Sequence, residues 1–194
     1  MTQPQTKGKA LWDLATILAK LVILHYSLSM RKNEILFWIV VVIGVIQHMW
    51  QIQYLPEKMA THFNWEGYAD GYAPRDVHMW MMLVVYGILA FSFGVLPHLI
   101  ARVPPAFINL PRKDYWLAPE RVATTLGDIR DRMAVFGIMI FLFFMVVGLL
   151  VAEANKQIPP RLPDAFMWSL AGFLIITAVW TIRFIRDYYK VPKE

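Results

Sequence analysis

Four stretches of the chain contain no Asp, Glu, Lys or Arg. They cover 35–56, 77–101, 133–152 and 165–182. A transmembrane helix needs about 20 mostly apolar residues, and all four stretches meet that length, the last one narrowly. With 58% hydrophobic and 17% charged residues, clustered in this way, the chain is unlike a soluble domain or a disordered segment. The sequence therefore predicts an all-α fold, a polytopic transmembrane helical bundle with four spans.

Basic residues are divided unevenly between the connections. Segments 1–33, 102–132 and 183–194 carry five, six and four Lys and Arg, whereas 55–77 and 153–164 carry two each. The positive-inside rule places the richer side in the cytoplasm. We therefore predict cytoplasmic termini, outer loops at 55–77 and 153–164, and a cytoplasmic loop at 102–132. The net charge of +5 is largely explained by this topology and does not indicate a nucleic-acid partner.

The segment before the first span is mostly apolar but interrupted by polar residues. Asp13, Thr16 and Lys20 lie on one stripe of a helix over 11–30. This pattern is typical of an amphipathic helix in the membrane interface. A fifth span over 11–30 and a true start at Met30 are the alternatives. The predicted organisation is an N-terminal tail and amphipathic helix (1–33), a four-helix transmembrane domain (34–186) and a cytoplasmic tail (187–194).

The second span carries small residues on one face. Gly87, Ala90 and Gly94 are spaced so that another helix could approach closely, either within the chain or in a dimer. Pro97 predicts a kink near the inner end of this helix.

The loop 55–77 is rich in polar side chains and contains two glycines. Glycine permits positive φ, and Asp-Gly is a turn dipeptide, so the loop is expected to form compact turns. One interpretation is a loop that hydrogen-bonds mainly to its own backbone. Another is a site for an external ligand or partner, formed by His62, Asn64, Gly67, Asp70 and Gly71.

A metal site is the third interpretation of this loop. His62, Asp70 and His78 are ligand types that zinc accepts. However, no paired motif such as H-E-x-x-H is present, so no cofactor is predicted and zinc stays an alternative. The chain also has no cysteine, which excludes thiolate sites and cysteine nucleophiles.

The loop 102–132 combines prolines, aromatic residues and cations. Pro119 followed by Glu120 predicts a helix start, and an amphipathic pattern continues from there to Arg132. Aromatic and basic side chains together are typical of an interfacial anchor that binds anionic headgroups, or of a docking surface for a protein. The candidate residues are Arg112, Lys113, Tyr115, Trp116, Glu120 and Arg121.

Two blocks of the sequence resemble a known family. Residues 55–71 read Leu-Pro-x5-His-Phe-Asn-x2-Gly-x2-Asp-Gly, and residues 109–121 read Asn-Leu-Pro-x-Lys-Asp-Tyr-Trp-Leu-Ala-Pro-Glu-Arg. These blocks resemble a bacterial membrane module, domain of unknown function 1648, found in SdpI-type toxin-immunity and signalling proteins. The resemblance covers roughly 30–150 and implies a bacterial inner-membrane protein.

These observations predict a membrane protein of non-enzymatic role whose outer loop binds a ligand or partner. No Ser-His-Asp order, phosphate-binding loop or intramembrane carboxylate pair indicates an enzyme. The alternatives are a membrane enzyme with an outward metal site and a structural subunit of a membrane complex. The expected partners are the lipid bilayer and either another protein or a second copy of the chain.

Overall fold

The computed structural model describes Thr16 and residues 30–191, and the account below concerns the compact unit that begins at Asn33. The predicted amphipathic helix over 11–30 lies outside the described residues, apart from Thr16, which is helical, and Met30, which is not. The helices are α1 (Lys32–Gln51), α2 (Arg75–Ala90), α3 (Leu96–Ile100), α4 (Lys113–Trp116), α5 (Val122–Ala154) and α6 (Ala165–Tyr189). The strands are β1 (Lys58–Phe63) and β2 (Ala69–Pro74).

The prediction of four spans is confirmed. Within the described part of the chain, the segments long and apolar enough to cross a membrane are Lys32–Tyr54, Arg75–Ile100, Val122–Ala154 and Ala165–Tyr189. The third is longer than its charge-free stretch because α5 begins at Val122 and runs on without a proline. The predicted amphipathic segment before Met133 is therefore the first part of this helix, which starts just after Pro119 and Glu120. The chain is a multi-pass membrane protein.

Helices α1, α2 and α5 pack around one apolar core. Its buried residues are Phe37, Val41, Tyr86, Ala134 and Phe141. The Phe37 ring fits against two glycines, because a Cβ on Gly94 would lie 2.9 Å from Phe37 Cε1 and one on Gly137 would lie 2.6 Å from Phe37 Cε2. The predicted close approach is thus observed at Gly94 but not at Gly87, where an added Cβ would meet no atom within 4 Å.

The backbone departs from α-helical geometry in the turn before Pro97. Residues Phe91–Val95 form a π-helical turn between α2 and α3. Proline lacks an N–H and its ring crowds the carbonyl four residues earlier, so a local change of helix type before Pro97 relieves the crowding.

Helix α6 lies at the edge of this bundle. It packs along α5 through stacked ring pairs, Phe143 with Phe173 at 4.1 Å and Phe136 with Trp180 at 4.6 Å between centroids. No residue in its most apolar 18-residue window is buried. The apolar side chains of α6 that do not meet α5 therefore face the bilayer.

The loop between the first two spans is a β-hairpin. Strands β1 and β2 pair antiparallel, with Lys58 opposite Pro74 and Phe63 opposite Ala69. The expectation that Asp70-Gly71 forms the turn is wrong, because both residues lie within β2 and the turn falls between Phe63 and Ala69. We call this end of the bundle the hairpin end. It contains the helix termini at Gln51, Arg75, Ala154 and Ala165.

Candidate functional site

The hairpin turn is built by Asn64 and Gly67. The Asn64 side-chain oxygen accepts hydrogen bonds from the backbone N–H groups of Glu66 (3.0 Å) and Tyr68 (2.9 Å). Gly67 has a φ of +85°, which a residue with a Cβ rarely adopts. These two motif residues therefore have a structural role in the turn, as the interpretation of a self-bonded loop predicted.

His62 and Asp70 form an exposed pair across the two strands. His62 Nδ1 lies 2.5 Å from Asp70 Oδ1, and the two side chains are 75% and 44% exposed. Gly71 lies opposite His62 in the strand pairing, and a Cβ on Gly71 would lie only 2.8 Å from His62 Cβ, so a side chain would not fit there. Exposed pairs contribute little to stability, so this pair is available for contacts with a ligand.

A second loop closes over the hairpin turn. The backbone N–H of Leu162 donates to the carbonyl of Gly67 (2.8 Å), and that of Ala69 donates to the carbonyl of Pro160 (3.1 Å). The Arg161 guanidinium lies 5.2 Å from the centre of the Tyr68 ring. The connections 55–77 and 153–164, both predicted on one side of the membrane, are therefore in direct contact.

Asn155 fixes the hairpin to the end of α5. Its Oδ1 accepts a hydrogen bond from the backbone N–H of Ala60 (2.7 Å), and its Nδ2 donates to the Ala60 carbonyl (3.0 Å). Ala60 and its neighbour Met59 are fully buried. One amide side chain thus satisfies both polar backbone groups of a buried strand residue.

We expect Asn155→Ala to loosen the hairpin while the helices stay folded. The substitution leaves the buried N–H and carbonyl of Ala60 unsatisfied, at a cost of about 1–3 kcal/mol for each group. Hydrogen exchange followed by mass spectrometry should then show faster exchange across 58–74 than in the wild type. Gln53→Ala is the control, because the Gln53 side chain is exposed and bonds only locally, to the Met49 carbonyl. Equal protection of 58–74 in wild type and Asn155→Ala would contradict the expectation.

A groove of about 540 Å³ lies between the hairpin turn and the adjoining ends of α5 and α6. Its floor is apolar, formed by Val147, Val151, Leu162, Phe166, Met167 and Leu170. The acidic side chains of Glu66 and Asp164 line its rim. Trp65, at the tip of the turn, is 86% exposed and also lines the groove. The groove was not predicted from the sequence because its walls come from segments about one hundred residues apart.

The third residue of the predicted metal set lies elsewhere. His78 is in α2, where its ring is 5.9 Å from that of His48 in α1. Within Thr16 and residues 30–191, no three His, Asp or Glu side chains are grouped so as to hold a metal ion. The structure thus brings His62 and Asp70 together, and His78 does not join them.

The second sequence block is anchored on the opposite end of the bundle. Trp116 Nε1 donates to the Tyr188 carbonyl (2.8 Å), and the Arg121 guanidinium lies 4.1 Å from the centre of the Tyr115 ring. Arg121 also pairs with Glu120 at 2.8 Å. Of the six candidate residues, Trp116 therefore fixes the loop to the end of α6, whereas Arg121 contacts Tyr115 and Glu120 within the loop. Arg112 and Lys113 are exposed, and Arg112 adopts a left-handed backbone with φ +52°.

A buried charged cluster at this opposite end was also missed. Glu34 Oε1 lies 3.0 Å from His98 Nε2 and 3.5 Å from Arg130 Nε, and Arg130 Nη1 lies 3.1 Å from His98 Nδ1. Glu34 and His98 are both more than 90% buried. The cluster joins α1, α3 and α5, so no single sequence segment reveals it.

Residues 35–87 match the family model of a domain of unknown function, DUF1648. The match covers most of α1, the whole hairpin and most of α2, so the predicted resemblance to this module is confirmed for that segment. No curated protein and no solved structure matches the chain.

Proposed function

We propose that the chain is a non-enzymatic protein of a bacterial inner membrane that binds a cationic amphipathic peptide, or such a segment of a partner protein, at its outer face. The observation that carries this proposal is the groove at the hairpin end, with its apolar floor and acidic rim. Its volume of about 540 Å³ lies in the range of about 300–1,000 Å³ usual for ligand sites. We also propose that the chain shares this role with SdpI-type immunity and sensor proteins, which its two sequence blocks resemble.

The charge of the two connections at the hairpin end supports a cationic ligand. Segments 55–77 and 153–164 together hold six Asp and Glu against four Lys and Arg, although the chain as a whole is basic. Complementary charge steers a ligand to its site and disfavours ligands of the wrong sign. An amphipathic helix can place its apolar side chains on the groove floor and its cations against Glu66 and Asp164.

At the opposite end, Arg112 and Lys113 would face the cytoplasm. Exposed cations next to a membrane attract anionic headgroups. We propose that they hold the second block against the inner leaflet, while Trp116 fixes that block to the end of α6.

The proposed orientation predicts which single cysteines react in intact cells. Because the chain has no cysteine of its own, Glu66→Cys and Lys113→Cys each introduce one thiol. A membrane-impermeant maleimide should label Glu66→Cys in cells with a permeable outer membrane, and should label Lys113→Cys only after the inner membrane is opened. The reverse pattern would place the groove in the cytoplasm and refute the proposed outer site.

Binding can be measured on the full chain in lipid nanodiscs. The probe is a fluorescein-labelled 18-residue amphipathic helix of Leu and Lys, and anisotropy reports its binding. We expect saturable binding above that of empty nanodiscs, about tenfold weaker in Phe166→Ala, since burying an aromatic side chain contributes about 1.5–3 kcal/mol and part of that is lost. The double variant Glu66→Gln/Asp164→Asn should weaken binding and reduce its salt dependence.

Matched controls separate the groove from general effects. Phe107→Ala removes an exposed ring far from the groove, and Glu57→Gln/Asp114→Asn removes two exposed acids that do not line it. A peptide with Glu in place of Lys tests the sign of the charge. Equal binding of both peptides, or unchanged binding in Phe166→Ala, would refute the proposed peptide ligand.

A further inference from the structure

Two histidines of the first two spans meet inside the bundle near the hairpin end. His48 in α1 is 5% exposed, and its ring centroid lies 5.9 Å from that of His78 in α2. His48 Nε2 and His78 Nδ1 are both buried and have no hydrogen-bond partner. Buried polar atoms in native structures are rarely left in this state, so each of these nitrogens is suited to a ligand.

The two rings border a small, partly enclosed cavity. Its volume is about 40 Å³, and its walls are His48, Gln51, Leu55, His78, Met82, Val147, Gly148 and Val151. A cavity needs about 10–15 Å³ to hold a water molecule, so this one has room for a single metal ion with or without a water.

The separation of the rings fits ligation of one ion. An imidazole nitrogen binds a first-row metal at about 2 Å, which places the ring centroid about 3 Å from the ion and two such centroids about 5–6.5 Å apart. The observed distance of 5.9 Å lies within this range.

The donor types around the cavity select the metal. The side chain of Met82 lines it beside the two imidazoles, and thioether and imidazole together favour Cu(I). Zinc prefers four nitrogen, sulfur or carboxylate ligands. Within the described residues, no third His, Asp or Glu joins the two histidines, and the Gln51 side-chain oxygen already accepts a hydrogen bond from Gln47 (3.3 Å).

We propose that His48, His78 and Met82 bind one cuprous ion inside the bundle at the hairpin end. The three ligands differ from the exposed His62–Asp70 pair and do not line the peptide groove, although Val147 and Val151 line both the cavity and the groove. The proposed ion does not depend on the proposed peptide ligand. His48 and His78 come from different helices, so the ion would also link α1 to α2.

The test is an anaerobic Cu(I) titration of the purified full chain in detergent, in competition with the chromophoric chelator bicinchoninate. We expect one Cu(I) per chain in the wild type, loss of binding in His48→Gln and in His78→Gln, and at least tenfold weaker binding in Met82→Leu. Met81→Leu and His62→Gln are the matched controls, because both side chains are exposed and outside the cavity. Their binding should equal that of the wild type.

X-ray absorption at the copper edge of the loaded wild type tests the ligands without any substitution. Two nitrogen neighbours and one sulfur neighbour are expected. Absence of stoichiometric Cu(I), a copper shell without sulfur, or full binding by folded His48→Gln would each overturn the proposal. One zinc per chain with no competing Cu(I) binding would overturn the choice of metal.

Discussion

Gly137→Leu should lower the free energy of unfolding by about 3 kcal/mol, the upper part of the range for overpacking a close-packed interior. A Cβ on Gly137 would lie 2.6 Å from Phe37 Cε2 and 2.7 Å from Phe93 Cβ, and the remaining leucine atoms need still more space. Phe37 is fully buried and also faces Gly94, so it has little room to move. The clash can therefore be relieved only if α1 and α5 move apart, and this movement opens the core.

Gly87→Leu is the matched control for this effect. It makes the same chemical change in a helix, but an added Cβ at Gly87 would meet no atom within 4 Å. Leucine favours a helix over glycine by about 0.8–1 kcal/mol, so this variant should be as stable as the wild type or more stable. Unfolding of both variants in mixed micelles, by titration with sodium dodecyl sulfate, measures the difference. Equal stability of the two variants would show that the core around Phe37 is not tightly packed.

The four spans could be predicted because charge-free stretches of this length have few other folds available. The N-terminal end of the third span was harder to predict. Arg130 and Arg132 lie just before its charge-free stretch, yet both belong to α5, where Arg130 pairs with Glu34 and Arg132 pairs with Asp128 and Asp187. Charge marks the boundary of the membrane-embedded part, whereas a helix continues for as long as its backbone hydrogen bonds can form.

The hairpin was not predicted because its strands lack an obvious apolar alternation. Only Met59 and Ala60 of β1 are buried, and they are adjacent in sequence. They are strand residues because β1 pairs with β2, and Ala60 is also bonded to Asn155, which lies 95 positions later. The roles of Asn64 and Gly67 in the turn were easier to predict from the sequence. Turns commonly contain an Asn side chain that bonds to its own loop and a glycine at positive φ.

Three features depend on tertiary packing: the groove, the His48–His78 pair, and the cluster of Glu34, His98 and Arg130. His48 and His78 lie on different helices, and their proximity depends on how the hairpin sets the register of α1 against α2. Glu34 and Arg130 lie almost one hundred residues apart and meet because the first and third spans are parallel neighbours whose starting ends lie side by side. Ionisable residues near helix ends are easily interpreted as interfacial, so the sequence offered no signal that these would be buried together.

The second large effect is expected at the buried cluster of Glu34, His98 and Arg130. Glu34→Ala should destabilise the protein by about 3–5 kcal/mol, because removal of one partner of a buried ion pair leaves the other charge buried and uncompensated. Arg130 and His98 would both lose the carboxylate that lies within 3.5 Å of them. Glu57→Ala is the control, since Glu57 is exposed near the start of the hairpin. The same detergent titration measures both variants.

A double variant tests whether the loss of stability comes from the Arg130 charge that is left buried without its partner. In Glu34→Leu/Arg130→Met both charges are replaced by apolar groups of similar length, a change that is often neutral or stabilising for a buried pair. The double variant should therefore be more stable than Glu34→Leu alone, and the non-additivity should reach about 2 kcal/mol, within the range for residues in one ionic network. If the two substitutions were simply additive, Glu34 would contribute through packing at the end of α1, and the ion pair would add little to the stability of the bundle.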